Sequence, residues 1–200
     1  MSYSHTFYAI DLERLRGLWG SDDQGFAGAF AEAMAEEIED NDLFFEDAID
    51  EDRCPDTKAA LLQILAGDIP KPRGHEAMYG YTLGMLFDHL GTMIECDDVY
   101  RVQSHPFASL LLRSGPPLPI PVDKGDFPEI GFVAKSDLDR EINALDAAPR
   151  RAPRSIWSKL TGGVVGGDMD EDELAEDMAA YREALAFCRE RGQSLVSIRH

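Results

Sequence analysis

Cations are scarce in this sequence. Its 200 residues hold 19 Lys and Arg against 38 Asp and Glu, a net charge of −19. A chain with so few cations is poorly equipped to grip a phosphate backbone, because that affinity is built from Lys and Arg. Direct nucleic-acid binding is therefore not expected. Long apolar runs are missing too. The strongest, Thr82 to Ile94, contains Asp88 and His89 and falls far short of the ~20 residues a membrane span requires. Cysteine is limited to Cys54, Cys96 and Cys188, far apart and without paired spacing. Such thiols read as small buried hydrophobes of a reducing compartment rather than as a disulfide framework. The opening MSYSHTFYAIDLERLR lacks a basic stretch leading into an apolar run and a cleavage site, so no secretory signal is expected and the expected compartment is the cytoplasm.

What is present is ordinary globular material: 44% hydrophobic and 28% charged residues, enough for one large domain that buries roughly 70% of its unfolded surface. Residues 2–10 alternate, with Tyr3, His5 and Phe7 on one face and Ser4, Thr6 and Tyr8 on the other, which suits a strand. Asp11 caps a short helix that Gly20 stops, and Ser21 with Gln24 forms a capping box for a helix starting at Asp22. In that helix Phe26, Phe30, Met34 and Ile38 make an apolar stripe, and Asp40-Asn41-Asp42 interrupts it before Leu43 to Ile49 continues. Asp56 caps a helix ending at Gly67, and DIPKPRG is a loop.

A helix from His75 to about Glu95 follows, with Met78, Met85, Leu86, Leu90 and Met93 facing inward and Gly80, Gly84 and Gly91 near one side. Small residues let another backbone approach, so this helix is expected at the centre of the fold. The proline-rich stretch 115–128 excludes regular structure. Ile130 to Ala134 reads as a strand, Ser136 as the cap of the helix DLDREINAL, Asp170 to Arg191 as a long helix stopped by Gly192, and Gln193 to Ile198 as the last strand. Between them lies an irregular segment, about 147–168, basic at Arg150, Arg151 and Arg154 and then glycine-rich. The resulting expectation is a single, mostly helical α+β domain with a small antiparallel or mixed sheet that includes both terminal strands.

The order of parts also resembles a known group. An aromatic strand followed by DLERL, then IGFVAKSDLDREINAL, then YREALAFCRERGQSLVSI is similar to the bacterial YfbM-like family of uncharacterised proteins. That resemblance implies the same α+β architecture and a bacterial source; it carries no activity over to any residue.

Chemistry is sparse along the chain. His75-Glu76 begins like a zinc-protease motif, but Tyr79 stands where the second histidine belongs, and a catalytic zinc needs three protein ligands. The glycines of TGGVVGGD lead into acids rather than a lysine, which would repel phosphate. Asp168, Asp170 and Asp172 imitate the start of a calcium loop, yet Glu173 and Ala179 occupy the positions of its glycine and bidentate glutamate. No metal and no cofactor is expected. Asp88, His89 and His105, with nearby Glu95, Asp97 and Asp98, form the densest set of acid–base groups. They are the catalytic candidates for a hydrolase-type enzyme, although neighbours on a helix point about 100° apart.

The negative charge is uneven. Residues 21–52 contain thirteen acids and no Lys or Arg, and residues 168–183 contain eight acids and Arg182. Each segment can present a carboxylate face on a helix. Such a face either solubilises the chain or docks a basic protein or peptide. The leading expectation is a non-enzymatic binding protein, immunity- or inhibitor-like, whose partner meets Glu32, Glu36, Glu39 and Asp40; the hydrolase is its rival.

Overall fold

A computed structural model describes residues 5–70, 77–99, 114–121, 128–147 and 171–199, with the side chains of 96–99, 171–175 and 177 left aside. Four strands, β1 (His5–Ile10), β2 (Thr92–Val99), β3 (Glu129–Val133) and β4 (Ser194–Arg199), form one sheet in the order β2-β1-β4-β3. Every neighbouring pair is antiparallel. The terminal strands lie side by side at its centre, with Phe7 opposite Ser197 and Tyr8 opposite Val196.

Both faces of this sheet are covered, which explains why β1 and β4 are buried almost throughout rather than on alternate residues. Tyr8, Ile10, Ile130, Val196 and Ile198 face one core. Over it lie α1 (Leu12–Gly17), α2 (Gln24–Ala33), α3 (Ala35–Phe44), α4 (Glu46–Asp50), α5 (Thr57–Ala66) and α6 (Ala77–Leu90). Phe7, Ala9, Ile94, Val133 and Leu195 face the other core, beneath α7 (Leu138–Ala147) and α8 (Glu171–Arg191). The expected mostly helical α+β domain, with both terminal strands in its sheet, is what forms, and the sheet is antiparallel.

Local signals account for most boundaries. Asp11 accepts the amides of Glu13 and Arg14, and Asp56 accepts that of Ala59, satisfying donors that a helix start leaves open. Gly67 and Gly192 take φ of 68° and 64° at the ends of α5 and α8, where a left-handed residue closes the last turn. Arg16 lies 5.1 Å over the Phe132 ring and donates to the Pro117 carbonyl at 3.3 Å, tying the proline-rich stretch to the sheet.

Four boundaries differ from the sequence reading. The capping box at Ser21 does not form: Asp22 sits at φ 51° and donates its amide to Leu65, so Asp23 caps α2 through Phe26 instead. The apolar stripe is split at Met34, which departs from helical geometry at φ −114°, although amide bonds continue on both sides of it. The expected break at 40–42 is absent, because Asn41 and Asp42 spend their side chains on Thr57 rather than on their own backbone. The central helix stops at Leu90, and Thr92–Val99 is strand β2, so Met93 is exposed instead of inward.

The glycines of α6 do permit close approach. An added Cβ at Gly80 would lie 2.8 Å from Pro128, and one at Gly84 2.8 Å from Ile198. The helix lies that close to the sheet.

Candidate functional site

The carboxylate face is built on α2 and α3. Phe30, Met34 and Ile38 are buried in the core below it, which leaves Glu32, Glu36, Glu39 and Asp40 exposed on the outside. Helical residues rotate by about 100° per step, so Glu36, Glu39, Asp40, Leu43 and Phe44 fall within about 140° of arc. Buried Ile38, Asn41 and Phe45 occupy the opposite side.

Asn41 Nδ2 donates to Thr57 Oγ1 at 2.8 Å, and Asp42 Oδ1 accepts both the Thr57 amide at 2.8 Å and its hydroxyl at 2.6 Å. These bonds pin α3 to the start of α5, so the acidic face sits on fixed backbone. Among the described residues, the ion pairs lie elsewhere: Arg53 with Glu51, Lys135 with Glu13, Arg140 with Asp137, Arg182 with Asp146, Arg189 with Asp139 and Arg199 with Glu129. None involves Glu32, Glu36, Glu39 or Asp40. The second acidic segment differs, since Arg182 on α8 grips Asp146 of α7 through two hydrogen bonds.

Leu43 and Phe44 are the residues that reading the sequence missed. They are 67% and 73% exposed, at the end of the same stripe as the carboxylates. The available signal was spacing: they stand seven and eight positions after Glu36, on the side away from Ile38 and Phe45.

Of the catalytic candidates, the described pair Asp88 and His89 turn to different contacts. Asp88, exposed on α6, accepts the Tyr8 hydroxyl at 2.8 Å. Burial raises that phenol's pKa, and the Asp88 hydrogen bond and charge raise it further. His89 instead stands edge-on to Phe26 and Phe30, with ring centroids 5.8 and 5.4 Å away. The two residues thus engage different neighbours, as their 100° separation requires. His105, His75, Glu76 and the segment from Arg150 to Asp168 lie outside the described residues, as do the side chains of Asp97 and Asp98. Among the described residues no group of three His, Cys, Asp or Glu could hold a metal ion, and no helix is long and apolar enough to cross a membrane. Cys54 and Cys188 are buried free thiols, and burial pushes the Cys188 thiol up to about 12 despite nearby Arg191.

Two polar clusters are buried on the α8 side of the sheet. Tyr181 donates to Glu141 at 3.1 Å, and Glu141 is 1% exposed. Burial raises the Glu141 pKa against the opposing pull of that hydrogen bond and of Arg140. His5 shares a hydrogen bond of 3.1 Å between Nδ1 and Ser197 Oγ, while its Nε2 is buried without a hydrogen-bond partner among the described residues. Opposite His5 in the register, Arg199 pairs with Glu129 at 2.8 Å. His5 also stacks on Phe7, so it packs within the sheet as its strand face suggested.

With this geometry in view, residues 1–200 match the model of a family described as Domain of unknown function (DUF7691). The chain belongs to that family. No curated protein and no solved structure matches it. The family's description names no activity, substrate or partner.

Proposed function

We propose that this chain is a non-enzymatic binding protein of the bacterial cytoplasm, immunity- or inhibitor-like, whose α2–α3 face engages a basic protein or peptide. The observation that carries the reading is the concentration of thirteen acids without a Lys or Arg in residues 21–52. Four of these, Glu32, Glu36, Glu39 and Asp40, stand exposed and have no ion-pair partner among the described residues. Like-charged groups held together on a rigid surface repel one another in the free protein, and an approaching cationic surface relieves that repulsion while the field speeds encounter. The competing reading is a face that only keeps the chain soluble. The hydrolase reading has less support, because Asp88 and His89 serve different contacts. The YfbM-like likeness contributes the bacterial source and rests on the order of elements and a few short stretches.

Replacing Glu32, Glu36 and Glu39 with Gln is expected to leave the melting temperature nearly unchanged and to slow association with a basic partner by about tenfold at low salt. Exposed charges act mainly on encounter rate, so the two proteins' rates should converge as salt rises. The measurement is capture from the source lysate with each protein, followed by association kinetics at two salt concentrations for whatever is recovered. Identical partners and identical rates would leave solubility as the role of this face.

A further inference from the structure

We infer that Phe44 and Leu43 are the apolar anchors of this face, and that the element seated on α3 is a cationic amphipathic helix of the partner. The inference rests on the docking reading above and adds the shape and chemistry of the occupant.

Leu43 and Phe44 are the two most exposed large apolar side chains among the described residues, and they are adjacent, so they form a patch rather than scattered single residues. Phe44 is 73% and Leu43 67% exposed, at the end of a helix whose other outward residues include Glu36, Glu39 and Asp40. Phe44 is nevertheless held. Its ring meets Phe45 edge-on at 4.9 Å and lies 5.9 Å from Tyr81, while Phe45 itself is buried. An aromatic ring propped by two others loses little freedom on binding, which is the property of a preorganised anchor. Aromatic anchors with charged surroundings are also where interfaces concentrate their affinity.

The stripe from Glu36 to Phe44 rises about 12 Å along α3, some two helical turns. A partner helix packed alongside has the same axial repeat. It can set apolar residues on Phe44 and Leu43 and, a turn or two further, Lys or Arg against Asp40, Glu39 and Glu36. Charge decides against a second copy of this chain as the occupant. A two-fold contact through this face would set these carboxylates near their own copies, with a net charge of −19 on each subunit.

The test uses the full chain and two fluorescent peptides of equal positive charge: a helix-forming Leu–Lys peptide with its leucines on one face, and a Ser–Lys peptide without apolar residues. Titrations are read by anisotropy for the wild type, Phe44→Ala, Leu43→Ser and the combined Glu36→Gln, Glu39→Gln, Asp40→Asn variant, each checked for folding by circular dichroism. The Leu–Lys peptide is expected to bind the wild type at least ~10-fold more tightly than the Ser–Lys peptide. Phe44→Ala is expected to remove most of that advantage, as truncation of an anchor does, with Leu43→Ser acting in the same direction. The charge variant is expected to weaken both peptides.

Equal Leu–Lys affinity in wild type and both apolar variants, with the charge variant still weakening both peptides, would overturn the anchors and leave the docking reading standing. Peptide binding indifferent to the charge variant would remove the docking reading and the inference with it. A wild-type dimer in sedimentation that dissociates in Phe44→Ala would assign the face to a second copy and overturn the cationic helix.

Discussion

Lowering the pH from 7 to 4 is expected to cost the fold about 3 kcal/mol through His5 alone. The imidazole is 5% exposed on the central strand β1. Burial first, and the charge of Arg199 second, lower its pKa from 6.5 to about 4, with Glu129 pulling the other way. A base whose folded pKa is depressed takes up its proton more readily when unfolded. Its contribution is therefore complete above pH 6.5, declines as the pH falls through the window from 6.5 to 4, and changes no further below it. Glu141, whose pKa burial raises, works in the opposite sense, since acid relieves its buried charge. The His5 contribution is isolated by difference. Urea unfolding of the wild type and His5→Gln at pH 7 and pH 4.5 should show the wild type losing about 2 to 3 kcal/mol more than the variant. Equal losses would mean that His5 titrates in the folded protein much as it does in the unfolded chain.

Gly91→Ala is expected to destabilise by about 2 to 3 kcal/mol. Gly91 joins α6 to β2, where an added Cβ would lie 2.8 Å from the Phe87 carbonyl oxygen and 3.1 Å from that of Ala9. Both obstacles are backbone: the first belongs to α6 and the second to β1, paired on both sides, so neither can move without disturbing the helix or the sheet. Gly84→Ala is the control. Its Cβ meets only the Cδ1 of Ile198, a side-chain tip able to shift, and the ~1 kcal/mol gained in helix propensity offsets that repacking. Thermal or urea melts should rank Gly91→Ala far below Gly84→Ala. Similar stabilities would show that the turn at Gly91 has room the distances deny.

These residues also show how far the fold was legible in the sequence. Short-range chemistry could be read directly: Asp11 and Asp56 as caps, Gly67 and Gly192 as stops, Gly80 and Gly84 as points of close approach. Each depends on residues a few positions away or on the absence of a Cβ. Long-range chemistry could not. Ser21 and Gln24 have the spacing of a capping box, yet Asp22 is drawn to a carbonyl forty-three residues on, at Leu65. Asn41 and Asp42 look like breakers because their side chains can bond their own backbone, and in the fold Thr57 takes them instead. β2 was missed because its start continues the apolar run of α6 without punctuation stronger than Gly91.

The candidate site divides in the same way. Glu32, Glu36, Glu39 and Asp40 were legible as an outward face because burial of Phe30, Met34 and Ile38 leaves them no other direction. Leu43 and Phe44 were not, since the expected interruption at 40–42 detached them from that stripe. The separation of Asp88 from His89 followed from helix geometry alone. The partners each found, Tyr8 for one and Phe26 with Phe30 for the other, are set by the packing of β1 and α2 against α6.

The most direct test of the docking face is carbodiimide labelling of carboxylates, read residue by residue with and without the basic partner recovered by capture. Glu32, Glu36, Glu39 and Asp40 should label readily in the free protein, and their labelling should fall several-fold in the complex. Exposed Glu13 and Glu190, which lie on other elements, should be unchanged. Protection at Glu13 or Glu190 with full labelling of the four α2–α3 carboxylates would contradict the account.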